Sequence, residues 1–449
     1  MCIYKIINYI DSNIIYIFKN NKGLTLLSLM DISLLERPTN ANFTLHNNLL
    51  SSVTNVRGTA HIPCVLTKEI TPSITCTNQK GSGRCWIFAA LNMIRRNVMT
   101  EKNIKESFEF SQSHIFFYDK LERMNYNLKI VEDLKNEDSP FSDRLVQHLL
   151  KDPFCDGGQW VMFTNIVNKY GLVPKEVYPE SLHSSNSAGV NMVLSRMFRT
   201  FVKDIYKNNF NKQQALQKTF EVLIRFFGEP PKEFTWNFKD KDNVERFTGS
   251  PLEFMSDFCK INLTDYVSLT HDPRHSTNQL YGVKHLGNVE GGEPVKYLNI
   301  PINRFKAVTK SAIDDNIPVW FGSDVGQFFN SKCALLDKKS FDYMKFLDIS
   351  DTMNKKDRIQ YCESTMTHAM CYVGYNEDQF GSINYWKIEN SWGSDGVFKG
   401  HLMCSDQWYK EYTYQLIVPK KYLKNTELNL WNGQISQEFP LWDPMGSLA

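Results

Sequence analysis

Long apolar runs are missing from this chain of 449 residues. The most apolar N-terminal stretch, around Ile14 to Phe18, is hemmed in by Asp11, Asn13, Lys19 and Asn20, so no segment reaches the length of a membrane span. The same stretch lacks the unbroken apolar core and small-residue cleavage site of a secretory signal, and the cytosol is the expected compartment. The sequons at Asn42 and Asn262 carry little weight in an Asn-rich chain outside the secretory route. A dominant charge is also missing. The formal net charge of +2 gives no general attraction to nucleic acid or to anionic lipid. The ten cysteines form no CxxC pair and follow no regular spacing, which excludes a disulfide framework and a zinc ribbon. Most of them are expected to be small buried hydrophobes. Internal repeats and low-complexity tracts are absent.

What remains is a globular composition, 42% hydrophobic and 13% aromatic, in a chain long enough for two or three packed units. Residues 1 to about 55 show no clear period. From Thr77 the text changes: a polar, Gly-punctuated loop, Asn78-Gln79-Lys80-Gly81-Ser82-Gly83-Arg84, opens into Cys85-Trp86-Ile87-Phe88. Ile87, Leu91, Ile94 and Val98 then recur at helical spacing, which predicts a buried helix beginning at Cys85. Two more apolar stripes, Leu194-Met197-Phe198-Phe201 and Leu216-Phe220-Leu223-Phe227, predict helices, the second stopped by Gly228 and Pro230-Pro231. Both are expected to be core-facing surfaces. After about residue 300 the pattern favours strands, among them 318–321, 371–375, 385–388 and 414–418. Helices followed by strands indicate an α+β fold.

A cysteine at the start of a helix has its thiolate favoured by the positive end of the helix dipole and by free backbone N–H groups. Cys85 is therefore placed for reactivity. A nucleophile also needs a base and an acceptor for the base's second ring proton. His368, within Met366-Thr367-His368-Ala369, and Asn390, within Glu389-Asn390-Ser391-Trp392-Gly393, supply both types. An Asn carbonyl fixes the imidazole tautomer without adding charge, and Trp392 can shield that hydrogen bond from water. Gln79, six residues before Cys85, is placed to join the Cys85 N–H in holding an oxyanion. Singly, each residue has an ordinary structural explanation. As an ordered set they are specific.

That set resembles the papain-like cysteine peptidases, whose nucleophilic Cys stands in a short Cys-Gly-Ser/Ala-Cys-Trp/Tyr signature with its His and Asn far downstream. Two departures are informative. The family's second Cys, three places before the nucleophile, is here Ser82, which leaves Cys155 as the remnant of a disulfide and points to a reducing compartment. The Cys85 to His368 separation also leaves room for a large insertion. With the Gly83-Arg84-Cys85-Trp86 variant, Asp156-Gly157-Gly158-Gln159-Trp160 and the terminal Trp442-Asp443-Pro444-Met445-Gly446-Ser447-Leu448-Ala449, the chain is similar to the bleomycin hydrolase (aminopeptidase C) branch from about Thr77 to Ala449. The first 50 or so residues depart from that branch's helical start.

The resemblance implies a two-lobed papain-like fold with a helical lobe, a β-barrel-like lobe, a mainly helical insertion and a C-terminal arm lying in the cleft. The corresponding segments are 1–55, a divergent N-terminal segment; 56–190, the helical lobe with Cys85; 191–300, the insertion; 301–425, the β-rich lobe with His368 and Asn390; and 426–449, the arm. It implies a cysteine aminopeptidase working through a thioester, with no metal or organic cofactor, acting on peptides with free N-termini and assembled as a homohexamer. The carboxylate of Ala449 would attract the substrate's α-ammonium, and Gly157 and Gly158 would offer bare backbone to the substrate. Two alternatives are a papain-type endopeptidase whose tail stays out of the cleft and a nucleic-acid-binding ring with secondary peptidase activity, which the near-neutral charge disfavours. A metal site at His271-Asp272-Pro273-Arg274-His275 is disfavoured by Pro273, and the run reads as a surface loop. His114 and His401 show no partner in the sequence and read as structural.

Overall fold

The computed structural model describes residues 3–5, 15–20, 23–28, 48–55, 62–63, 65–104, 108–240 and 243–449. Most of the unreadable N-terminal segment, including Asn42, lies outside these residues. The chain divides into two compact units. The smaller, Met1–Thr54 with Asp342–Ile349, contains an antiparallel sheet of Ile3–Lys5, Ile15–Asn20 and Gly23–Ser28. In the same unit the Asp342 N–H donates to the Val53 carbonyl at 3.0 Å.

The larger unit, Asn55–Phe341 with Ser350–Ala449, carries every candidate site residue. Its N-terminal part is helical, with Cys85–Glu101, Gln112–Asn136, Trp160–Tyr170, Ala188–Tyr206 and Lys212–Phe227. The two predicted stripes lie on the last two of these. Leu194, Phe198, Leu223 and Phe227 are buried, and Gly228, at φ 83°, ends the last helix in a conformation that favours glycine. The 191–300 segment is helical up to Phe227 and then changes. It forms a hairpin of Phe234–Asp240 with Asn243–Gly249, followed by three strands, Tyr266–Thr270, Gln279–Val283 and Lys296–Asn299. Those three join the same sheet as the later strands.

That sheet is mixed, and its centre is built by His368–Glu377 lying between Ile383–Glu389 and Val319–Ser323, both antiparallel to it. Thr413–Pro419 follows on the far side of Val319–Ser323. The Cys85 helix is buried continuously from Cys85 to Arg96 and packs on the His368 strand. The Cys371 thiol donates to the Ala89 carbonyl at 3.2 Å, and the Trp320 indole N–H donates to the Trp86 carbonyl at 3.2 Å. A helix buried on all sides belongs in a core, its Arg95 and Arg96 charges met by Glu389, and here that core holds the start of the helix against the start of a central strand.

Burial also fixes a pH response. His114 lies between Tyr118 and Tyr178, with no hydrogen-bond partner for either ring nitrogen, and burial pushes its pKa down to about 3. Burial, reinforced by the Lys355 ammonium, likewise lowers His271 to about 4. Since an unfolded imidazole titrates near 6.5, the unfolded chain binds the extra protons as the pH falls from about 6.5 to about 4 for His271 and about 3 for His114. Stability is therefore complete above that range and declines as the pH falls through it. In urea titrations the midpoint should drop across this window, and His114→Phe should flatten the drop. An unaltered slope in that variant would refute the assignment.

Candidate active site

Cys85 opens its helix with Arg84 at the cap position and no side-chain cap, so no capping side chain competes for the N–H groups of Cys85 and Trp86. Burial is the largest influence on the thiol and pushes its pKa up to about 11, against the pull of the Ala369, Trp86 and Cys85 N–H groups. The Ala369 contact places the sulfur beside the first two residues of the His368–Glu377 strand. His368 is buried, and burial lowers its pKa to about 4, partly offset by Asn390. Buried as they are, both partners favour their neutral forms.

His368 and Asn390 come together because their strands are antiparallel neighbours, with Cys371 opposite Glu389. Asn390 directly follows Ile383–Glu389, and its Oδ1 lies 2.9 Å from His368 Nε2. The same Asn390 Oδ1 also accepts the Ser391 N–H at 2.8 Å, which fixes the amide. Trp392 lies over the imidazole, with ring centroids 5.0 Å apart. At 41% exposed, it presents its other side to solvent and covers the His368–Asn390 bond. Behind this strand end, Glu389 is paired with Arg96 and lies 3.6 Å from Arg95, so the Cys85 helix and the Asn390 strand share a buried ion cluster.

Gln79 is held from both ends. Its backbone N–H donates to the Ser391 carbonyl at 2.8 Å, its Oε1 accepts from Ser391 Oγ at 2.6 Å, and its Nε2 donates to the Ser82 carbonyl at 2.6 Å. A primary amide has two N–H donors, so one remains for a ligand. The sequence reading missed the part played by Ser391, although it stands inside the quoted Asn-Ser-Trp-Gly run.

Asp156 was also missed. Its carboxylate accepts from the Gly83 N–H at 2.9 Å, Lys120 Nζ at 2.9 Å and Asn191 Nδ2 at 2.6 Å, and it bonds the Ser187 hydroxyl. Burial alone would raise the Asp156 pKa, but Lys120 and the other donors outweigh it and hold the carboxyl well below the ordinary range. The Asp156 carbonyl further accepts the Trp86 indole N–H at 2.7 Å. One residue thus ties the loop before Cys85 to the Gly157-Gly158 segment. Cys155 beside it is a free thiol.

The C-terminal arm lies along the Gly157-Gly158 segment. Ala449 is buried, its N–H donates to the Gly158 carbonyl at 3.2 Å, and its own oxygen accepts the Gly158 N–H at 3.1 Å. Gln159 Nε2 donates to the Ser447 carbonyl at 2.5 Å, and the hydroxyls of Thr365 and Ser447 are bonded. The two glycines are required by close approach. A Cβ at Gly157 would lie 2.8 Å from Leu448 Cβ, and one at Gly158 would lie 2.4 Å from the Trp86 ring.

The 271–275 run is not a surface loop, because Asp272 is buried and Arg274 is ion-paired to it. His271 Nδ1 lies 2.9 Å from the Ile300 carbonyl, while the His275 ring packs tilted against Phe439, centroids 4.5 Å apart. Among the described residues no cluster of three or more metal-ligating side chains occurs. No described helix is long and apolar enough to cross a membrane. His401, read as partnerless, lies 3.5 Å from the Cys76 sulfur and 3.3 Å from the Phe398 carbonyl.

The Peptidase C1-like family model matches residues 36–446, starting well upstream of Thr77. Aminopeptidase C of Lactococcus lactis subsp. lactis is 41% identical over 425 residues, covering 91% of this chain and 94% of the relative. Human bleomycin hydrolase is 40% identical over 395 residues, covering 83% and 86%. Among solved structures, the crystal structure of pepw from Lactobacillus rhamnosis HN001 superposes with a TM-score of 0.86 at 34% identity, covering 91% of this chain and 94% of that one.

Proposed function

The chain belongs to the Peptidase C1-like family and is a cysteine peptidase of the aminopeptidase C and bleomycin hydrolase type; from that premise we propose that Cys85, His368, Asn390 and Gln79 carry the reaction and that Ala449 sets where it stops. The His368 imidazole takes the Cys85 proton, and the thiolate attacks the peptide carbonyl carbon. The free N–H of Gln79 and the Cys85 N–H hold the resulting oxyanion. The C–N bond then breaks, and His368 returns its proton to the leaving amine. A water gives a proton to His368 as its oxygen attacks the thioester, and the thiolate departs. Asn390 keeps the imidazole in the required tautomer and orientation throughout.

The observation that carries the specificity is the reciprocal bonding of Ala449 with Gly158. The arm occupies backbone that a longer substrate would need, so cleavage falls near a free N-terminus. Its carboxylate faces an α-ammonium favourably, at about 4 kcal/mol for unit charges roughly 4 Å apart near a protein surface. An unacetylated peptide should be shortened stepwise from its N-terminus and its N-acetylated form spared. Equal rates on the two, followed by mass spectrometry, would instead establish an endopeptidase.

The finer parts of the reading rest on the family resemblance. We place the enzyme in the cytosol, where Ser82 replaces one half of a secreted relative's disulfide. A hexameric ring is the proposed assembly, and sedimentation at the mass of one chain would exclude it.

A further inference from the structure

Near the end of the C-terminal arm, two carboxylates meet one guanidinium. Arg274 donates from Nε to both oxygens of Asp272 at 3.1 Å and from Nη2 to Oδ2 at 2.7 Å. It also donates to Asp443, from Nη2 to Oδ1 at 2.8 Å and from Nη1 to Oδ2 at 3.4 Å. The guanidinium is thus shared between a fixed loop and the arm. The loop is fixed because Asn299 Nδ2 donates to the carbonyls of Asp272, His275 and Ser276, and Asn299 Oδ1 accepts the Asp272 N–H. Asp272 is 3% exposed, so its charge is compensated where it stands.

Asp443 is the one charged side chain in the last ten residues and stands six before the end. Its Oδ1 also accepts the Met445 N–H at 2.8 Å, which starts the short turn Pro444–Gly446 that leads into Ser447, Leu448 and Ala449. Other anchors stand on either side of it: Trp442 lies under the Arg144 guanidinium at 4.2 Å, the Tyr297 hydroxyl reaches the Met445 carbonyl at 3.3 Å, and Ser447 is bonded by Gln159 and Thr365.

We propose that Arg274 is a specificity-determining positioning residue: by holding Asp443 against Asp272 it sets the reach of the arm and so the distance of the Ala449 carboxylate from the nucleophile. The proposal rests on the reading that the arm gates the cleft. A planar fork bonded to two carboxylates fixes direction as well as distance, which a lysine ammonium cannot reproduce. Loss of the fork leaves Ala449 bonded to Gly158 for a smaller fraction of the time.

Two readouts test this. In a Cys85→Ala background, which prevents self-cleavage, carboxypeptidase should release Ala449 at least tenfold faster from Arg274→Gln than from the parent. In the active enzyme, Arg274→Gln should raise the ratio of kcat/KM for N-acetylated over free peptides about tenfold. The change for free peptides should lie mainly in KM, and Arg274→Lys should not restore the wild-type ratio. Asp443→Asn, on the arm itself and away from the core, should behave like Arg274→Gln and guards against a folding defect. If a chain ending at Pro440 loses discrimination while Arg274→Gln and Asp443→Asn both keep it, the arm is the gate and Arg274 does not set it. If the chain ending at Pro440 still spares N-acetylated peptides, the gating reading fails and this proposal falls with it.

Discussion

Cys85→Ala yields a folded protein that does not turn over peptides. The side chain is 2% exposed and contributes its sulfur to a site where Trp86 and the Ala369 backbone already define the walls. Removing one sulfur from the end of a helix in so large a core costs about 1 kcal/mol, a small part of the stability of a domain this size. The chemical loss is far larger. Without a nucleophile the thioester cannot form, and the remaining oxyanion donors and imidazole act on bulk water alone. By analogy with nucleophile deletions elsewhere, turnover falls by roughly four to six orders of magnitude. Thermal melting should match the parent while steady-state assays show no release of amino acids above background. Appreciable peptidase activity in the variant would move the nucleophile elsewhere and remove the basis of the proposed function.

The second large effect is on selectivity. Deleting Leu441–Ala449 removes the terminal carboxylate and vacates the Gly158 N–H and carbonyl that Ala449 now uses. A peptide strand can then pair with that backbone and continue past it. N-acetylated peptides should change from near-inert to substrates, a gain of roughly a hundredfold or more in kcat/KM, since about 3 kcal/mol of exclusion is lifted. Free peptides should lose affinity because their ammonium no longer has a partner. Continued rejection of blocked peptides by the truncated enzyme would show that the arm is not the barrier.

The parts of the site that were legible in the text are those whose roles depend on local context. Cys85 could be placed because the loop before it and the stripe after it define a helix start. His368 and Asn390 could be placed because each stands at a strand end in a short run of distinctive composition. What could not be read are partnerships made only by folding. Ser391 fixes Gln79 across 312 positions, and Asn299 organises the Asp272 loop from 27 positions away. The 271–275 run illustrates the limit: its composition is that of an exposed turn, and only the approach of Asp443, 169 positions later, makes it an anchor. The strands between 266 and 299 were missed for a related reason. Each is four or five residues long, and their identity comes from neighbours such as Thr413–Pro419 that are remote in sequence.

Asp156 has one more consequence. A thiol enzyme works only while its sulfur is kept reduced, and the reductants that do so would open a cystine joining the loop before Cys85 to the Gly157-Gly158 segment. Here that joint is a carboxylate gripping Gly83, Lys120, Ser187 and Asn191, and it contains nothing that electrons can cleave. The conditions that arm the nucleophile therefore leave its scaffolding intact.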